Sequence, residues 1–379
     1  MLIFIAVLIL CAIGAEWVSL QDPLAKVTYD CRPSKAVVEP EEPFEIITTL
    51  QNARRFPVPF IKMEELLPAS LEFLPPIPAH RQDKGGLIRT GTLYLMPRQT
   101  LQRRQPALIR QRGRYFFRGA TLFGGDFLGI RETSKQVHLS KELVVLPTTI
   151  DCPLLLENLG GFLGEISVNR FILEDPVLTL GYRDYTGREP QKAISWSQSA
   201  RAGKLMVKKY DHTLELSVTV ILSVDSGTGD HRQDPQEIEH CFSIARAVCE
   251  TLEDRGVQYG FLTNATAAGA MGCWSLLEEG LGARHFYTIL EGLGRATYDR
   301  TQSFAHLLHR AAKRAQQGQA HIIITPALLP EFQPMINRLR DLTGSQITVL
   351  AGNDYKASCD PDSQEKADSK ATAEERKDG

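Results

Sequence analysis

The sequence predicts an α+β multidomain chain, with an N-terminal transmembrane helix, a β-sandwich and a doubly wound α/β unit. Three observations predict it. Residues 1–15, MLIFIAVLILCAIGA, are apolar and uncharged. Residues 24–150 hold short β-branched and aromatic runs, punctuated by Pro, Gly and Asn about every ten residues. From residue 212 onward strand-like and helix-like runs alternate, the pattern of a mostly parallel sheet. The expected segments are a transmembrane stretch 1–21, a sandwich 24–150, a connecting segment 151–211, an α/β unit 212–352 and a charged tail 353–379.

The chain is 379 residues long, room for two domains that each bury a core. Its 43 basic and 45 acidic side chains nearly cancel, so no global field draws nucleic acid to it. Seven cysteines (Cys11, Cys31, Cys152, Cys241, Cys249, Cys273, Cys359) are odd in number, scattered and never in a CxxC pair. That argues against a disulfide framework or a zinc site and for a reducing compartment.

The apolar run continues through Trp17, Val18 and Leu20, past a single Glu16. A spanning helix needs about 20 predominantly apolar residues, so the run qualifies as a short one. It lacks the basic start of a secretory signal peptide. Lys26, Arg32, Lys35, Arg54 and Arg55 follow it, which places the rest of the chain on the cytoplasmic side of the cell membrane, as a single-pass protein.

Strands are expected over VTYDC, AVVEP, FEIITTLQN, PFIKMEELL, LEFLP, LIRTGTLYLMP and ALIRQRGRYFFRGATLF, an Ig-like sandwich by their spacing. Residues 98–118 hold seven arginines and no acid. Arg110, Arg112 and Arg114 alternate, so on one strand they would share a face, either a solvated one or an anion-binding patch.

In the α/β unit LELSVTVILSVD reads as a strand buried on both faces. Asp234-Pro235 then opens a helix, with Glu237 placed for a capping box. Ile238, Cys241, Phe242, Ala245, Val248, Cys249 and Leu252 form its apolar stripe, and Gly256 ends it. Strands VQYGFLT, HIIIT and QITVLA follow, separated by helical runs around 285–293, 304–316 and 330–342. The tail from Asn353 is charged and nearly free of large apolar groups, so it is expected to be disordered.

One loop is placed for chemistry. In VDSGTGD, Asp225 stands where a buried strand ends, the edge at which such sheets bind ligands. The loop resembles the short aspartic-protease motif and the phosphate loop of sugar-kinase-like ATPases. By topology it is most similar to the metal-ion-dependent adhesion site of von Willebrand factor A domains, where a carboxylate and hydroxyls hold Mg²⁺. Gly227 and Gly229 occupy the two serine positions, leaving Asp225 with Ser226, Thr228 and Asp230 as the only substitutes. No cofactor is expected, Mg²⁺ at Asp225 being the one alternative. GxGxxG, Walker lysine, HExxH and GxSxG motifs are absent, and nothing sets a nucleophile beside a base.

The segment GYRDYTGREPQKAISWSQSARAGKLMVKKYD carries a more specific pattern. Arg183, Asp184, Tyr185, Gly187, Ile194, Trp196, Ala200, Arg201, Leu205, Val207 and Lys208 stand in the order and spacing of a known signature. It resembles that of the bacterial family called domain of unknown function 58, whose members accompany MoxR-type AAA+ ATPases. Asp184, Arg188 and Lys192 replace the usual Glu, Asp and Arg. Arg112-Gly113 with Tyr115, Asp126-Phe127-Leu128-Gly129 and Val144-Val145-Leu146-Pro147 are similar to the family's earlier strand motifs.

The resemblance implies membrane anchoring, a sandwich, the signature and a von Willebrand A-like domain, in that order. It implies a non-enzymatic interaction or scaffold protein that works with a MoxR-type ATPase in assembly or maturation of a partner. Two other functions are open from the residues: a metal- or aspartate-dependent hydrolase using Asp225, and nucleic-acid binding by the arginine strand with Tyr185 and Trp196 as stacking platforms. The signature itself is expected to pack as an arm, with Ile194 and Trp196 as apolar anchors and Arg183, Asp184 and Arg201 as polar ties or a partner surface. Nucleic acid is not the expected partner.

Overall fold

A computed structural model describes residues 4–5, 23–76, 80–83, 86–125, 132–170, 179–187, 191–210, 217–225, 234–269, 275–315, 319–344 and 346–359. The chain forms two compact units, one of residues 1–148 with Leu290–Ala296, the other of residues 149–289 and 297–379.

The strands of the first unit are β1 (Val27–Pro33), β2 (Val37–Val38), β3 (Phe44–Asn52), β4 (Val58–Leu67), β5 (Glu72–Phe73), β6 (His80–Asp83), β7 (Gly86–Leu95), β8 (Thr100–Leu108), β9 (Gly113–Gly125) and β10 (Glu132–Val145). They make a four-stranded sheet in the order β1-β3-β8-β5 and a six-stranded sheet in the order β2-β10-β9-β4-β7-β6. Alternation with period two builds them: along β3, Phe44, Ile46, Thr48, Leu50 and Asn52 point inward. Tyr29, Ile46, Ile61, Met63, Phe117 and Leu122 belong to one shared core. A bulge between His138 and Lys141 of β10 faces Gly119, where an added Cβ would lie 1.9 Å from the Val137 carbonyl oxygen.

An ionic cluster sits in this core. The fully buried Glu65 carboxylate accepts from the hydroxyls of Tyr29 and Thr48, each at 2.9 Å, and from the guanidiniums of Arg89 and Arg103. Tyr29, Thr48 and Arg103 come from one sheet, Glu65 and Arg89 from the other, so the cluster ties the two sheets together. Burial raises the Tyr29 phenol far above its usual range and keeps it a donor.

The second unit opens with α1 (Pro153–Arg170), β11 (Thr179–Asp184), α2 (Trp196–Ala202) and β12 (Met206–Tyr210). There follow β13 (Ser217–Leu222), α3 (Pro235–Asp254), β14 (Gln258–Thr263), β15 (Ala265–Ala267), β16 (Leu276–Gly280), α4 (Ala283–Arg295) and β17 (Ala296–Arg300), of which Leu290–Ala296 count with the first unit. Last come α5 (Phe304–Arg314), β18 (Ala320–Thr325), α6 (Gln333–Thr343), β19 (Ile347–Ala351) and α7 (Gly352–Cys359). The main sheet has the order β16-β14-β13-β18-β19. Its strands pair in parallel, except that β16 runs antiparallel along β14. Ile221, Leu262 and Ile323 form one core cluster with Phe304, Leu307 and Leu308 of α5 and with Ile336 and Leu339 of α6. Helix α3 packs on β13, β14 and β18 through Ile238, Cys241, Phe242, Ala245, Val248, Cys249 and Leu252. Asp234 caps it by accepting from the Gln236 amide at 2.9 Å.

His321 lies fully buried in β18, next to the central strand, and neither ring nitrogen has a hydrogen-bond partner among the described residues. Burial lowers its pKa to about 4, so the ring is neutral at physiological pH.

The expected fold class needs correction. Strands take 43 % and helices 31 % of the described residues, so β-structure dominates. The α+β description with a transmembrane helix, an Ig-like sandwich and a von Willebrand A-like unit is therefore not the class of this chain. Among the described residues no helix is long and apolar enough to cross a membrane. The run expected to span, 1–21, falls outside the described residues except for Phe4 and Ile5.

Two local readings also change. The stretch 151–211, read as a connection, carries the 18-residue helix α1 and the β11–β12 hairpin. The tail expected from Asn353 begins as α7, whose Tyr355 hydroxyl accepts from the Asn158 amide of α1 at 2.9 Å. Residues 360–379 of that tail lie outside the described residues.

Candidate functional site

The carboxyl edge of β13 and β14 carries a dense polar network. After β13 the chain runs Ser223-Val224-Asp225, all buried. The Ser223 amide donates to Ile324 O at 2.8 Å, and the Val224 amide to Oδ1 of the buried Asn264 at 2.9 Å. Asn264 in turn donates to Gln302 O at 3.1 Å, while its own carbonyl accepts from the amide and hydroxyl of Thr301. Buried polar groups of this kind must be paired, and the network pins the segment before α5 against the strand ends.

Asp225 is at the centre, only 3 % exposed. Its Oδ1 accepts from Arg300 Nη1 at 2.6 Å and its Oδ2 from the Phe304 amide at 3.1 Å. Phe304 is the first residue of α5, and the N-cap residue Ser303 makes no side-chain cap bond. Asp225 thus caps α5 from a distance, its charge favoured by the helix N-terminus. Arg300 sits at the end of β17 with its side chain 44 % exposed, so one side of the pair faces solvent.

This placement gives Asp225 two protein partners where the sequence offered Mg²⁺ as an alternative. A cation there would have to displace Arg300, and a hard divalent ion wants several oxygen ligands around it. Ser226, Thr228 and Asp230 lie outside the described residues. Among the described residues no three His, Cys, Asp or Glu side chains gather to hold a metal ion. Arg300 was missed in the sequence because it lies 75 residues from its partner and belongs to no motif. Burial raises the Cys241 and Cys249 thiols, so both are protonated packing groups.

The signature residues form a separate local structure. In the β11–β12 hairpin Arg183 faces Val207 and Asp184 faces Met206. Ile194 bridges to Val207, and both are buried. Two residues outside the signature hold the arm together. The Ser199 hydroxyl donates to Ser195 O at 2.8 Å and accepts from the Met206 amide at 2.8 Å, while the Ser195 amide donates to Met206 O. The Tyr185 amide donates to Leu205 O, and Lys204 pairs with Asp184 at 2.7 Å. Gly203 ends α2 at φ 67°, a left-handed position that suits glycine.

Of the two expected apolar anchors, only Ile194 is one. Trp196 opens α2 and is 67 % exposed, with Tyr182 and Leu205 also exposed. Arg183, Asp184, Ala200 and Arg201 lie on the surface, and Gly187 sits at φ 87°. Tyr185 and Lys208 are half-buried, and Arg188 is outside the described residues.

The arginines of 98–118 do not share one face. Arg110 and Arg112 fall between β8 and β9, so the alternation spans no single strand. Arg103 serves Glu65, Arg104 pairs with Glu45, Arg110 with Glu41 and Glu72, and Arg114 with Glu142. Arg112 is buried and donates to the carbonyls of Leu293 and Ala296, which belong to the same unit. Of the other strand motifs, Asp126-Phe127-Leu128-Gly129 is outside the described residues, while Val144 and Val145 close β10 in the core.

No known protein family matches the chain, and no curated protein does. Among solved structures, the CARDB domain of the PF1109 protein from Pyrococcus furiosus is similar with a TM-score of 0.20 and 16 % identity, over 32 % of this chain and 87 % of that one. A non-cellulosomal cohesin from Archaeoglobus fulgidus gives a TM-score of 0.20 and 13 % identity, over 32 % of this chain and 92 % of that one. The alkylpurine DNA glycosylase AlkC of Pseudomonas fluorescens gives 0.19 and 14 %, over 32 % of this chain and 30 % of that one. Likenesses this weak transfer neither fold nor function.

Proposed function

We propose that the protein is a non-enzymatic interaction protein that docks a partner through the arm 179–210. One observation carries the reading: Trp196 is two-thirds exposed on an arm whose backbone is tied by Ser195, Ser199 and the β11–β12 ladder. Holding a large apolar ring in water is unfavourable, and binding hot spots are enriched in Trp, Tyr and Arg on preorganised surfaces. Tyr182, Arg183 and Arg201 lie exposed on the same arm. The engagement of Asp225 as cap and ion-pair partner adds support, since it gives that carboxylate a structural task.

The signature resemblance names the partner to try first, a MoxR-type AAA+ ATPase, with assembly or maturation of a third protein as the work done. The test is a binding titration of the full chain with a MoxR-type AAA+ ATPase. Trp196→Ala is expected to weaken binding about thirtyfold, the scale of a hot-spot residue of about 2 kcal/mol. Tyr287→Ala, an exposed aromatic on α4, should leave it unchanged. Absence of binding by the wild-type chain, or equal binding by Trp196→Ala, sinks the proposal.

A further inference from the structure

One end of the sandwich gathers cations. A cavity of about 460 Å³ is lined by Lys26, Arg54, Arg55, Phe56 and Arg98, and no carboxylate is among its described lining residues. The lining comes from three separate stretches: the entry to β1, the β3–β4 loop and the β7–β8 turn. Backbone bonds hold them in place, from the Ala53 amide to Lys26 O and from the Arg98 amide to Arg54 O, each 3.1 Å. Asn52, fully buried, locks the loop and the turn together. Its amide donates to the carbonyls of Phe56 and Met96 at 3.0 Å, and its Oδ1 accepts from the Arg54 amide. Arg98 adopts φ 56°, a left-handed position where a side chain costs free energy and glycine would not.

Several other cations of this unit are held by acids. Lys35, Lys62, Arg89, Arg103, Arg110 and Arg114 each lie against a glutamate. Beside the cavity the same loops expose apolar groups: Phe56, 48 % exposed, and Met96 and Tyr94 at the end of β7. Cations closer together than a Debye length of about 8 Å add their fields and favour a surface carrying many anions.

We infer that this end of the sandwich is a seat for an anionic lipid surface. Lys26, Arg55 and Arg98 would take phosphate-bearing headgroups while Phe56 and Met96 enter the headgroup–acyl boundary. A soluble polyanion satisfies the cations but leaves Phe56 and Met96 in water; a bilayer covers both. Tyr94, with an apolar ring and a polar hydroxyl, suits the interface at the rim.

The test uses the full chain and vesicles of phosphatidylcholine, with or without about a third phosphatidylglycerol. Residues 1–20 are themselves apolar, so the quantity read is the gain in binding that the anionic lipid adds, not total binding. That gain is expected to be about tenfold at physiological salt and to vanish near about 0.5 M salt. The triple variant K26E/R55E/R98E should lose it. R118E/K141E/K313E, which makes the same charge change at exposed sites elsewhere, should keep it. Phe56→Ser should lower the gain several-fold while preserving its salt dependence, and thermal melts confirm that each variant is folded. Equal binding to both vesicles by the wild type, or loss of the gain in both triple variants, overturns the inference. Tighter, Lys26-, Arg55- and Arg98-dependent binding of oligothymidylate would assign the site to nucleic acid and overturn it too.

Discussion

Glu65 in the sandwich and Asp225 in the second unit are both carboxylates withdrawn from solvent, yet they are neutralised in different ways. Glu65 is met by two guanidiniums and two hydroxyls inside a core, with Arg89 as buried as Glu65 itself. Asp225 is met by one half-exposed arginine and one helix N-terminus at the edge of a sheet. The first arrangement ties two sheets together. The second stands where a ligand would be expected and is filled by the protein's own groups. Partner exposure, more than the burial of the carboxylate, decides how much each residue is worth.

The largest effect should come from breaking the cluster in which Glu65 and Arg89 are both buried. Glu65→Ala leaves Arg89 without its carboxylate in the core, and a loss of about 3–5 kcal/mol is expected by urea denaturation. A loss under about 1 kcal/mol would show that the cluster contributes little. The double change Glu65→Leu with Arg89→Met should recover much of the deficit, because it removes the desolvated charges together.

The second effect is one of pH, in the unit that holds Asp225. His321 titrates near 4 when folded and about 6.5 when unfolded, so between these values the unfolded chain binds more protons. Its contribution is complete above about pH 6.5 and is lost as pH falls to 4, about 3 kcal/mol over that window. His321→Leu should flatten the stability of this unit across the window; an unchanged slope would mean that the buried ring is not the titrating group.

Asp225→Ala comes next. Arg300 can turn to solvent when its partner goes, so about 2 kcal/mol is expected, from the lost cap and the lost pair. Asp225→Asn keeps an acceptor for the Phe304 amide and should cost less. Should Asn prove as harmful as Ala, charge rather than capping would dominate, and the contrast drawn with Glu65 would narrow.

The smallest effects belong to the arm. Ser199→Ala removes the hydroxyl that joins Ser195 and Met206, and about 1 kcal/mol is expected from hydrogen exchange of the Met206 amide. Trp196→Ala, at an exposed position, should change stability by less than about 0.5 kcal/mol. A large loss in that variant would make Trp196 a packing residue and remove the support it lends to docking.

Some of this was legible before any coordinates. The alternation of Phe44–Asn52 marks a strand with one buried face, and its inward residues are the ones the period picks out. Helix α3 is equally plain: Asp234-Pro235 starts it, and a stripe from Ile238 to Leu252 buries. Helix α1 was hidden although Leu155, Leu159, Phe162 and Ile166 recur at helical spacing. Exposed Leu154 and Leu156 blur that stripe, and Gly160, Gly161 and Gly164 argue against helix by propensity. In the arm, the residue types were legible but not their exposure; the pattern made Ile194 and Trp196 look alike, and only Ile194 is covered.

What the sequence by itself determined is what acts over a few residues: caps, alternation, helical stripes and the left-handed Gly256 after α3. Those signals are carried by neighbouring side chains and backbone, so they survive without knowledge of the fold. Tertiary structure alone decided the charge partners, since Glu65 meets Arg89 and Arg103 across 24 and 38 residues and Asp225 meets Arg300 across 75. A charge in a sequence has many possible partners. The dry environment that makes one pairing obligatory exists only once the sheets have closed over it.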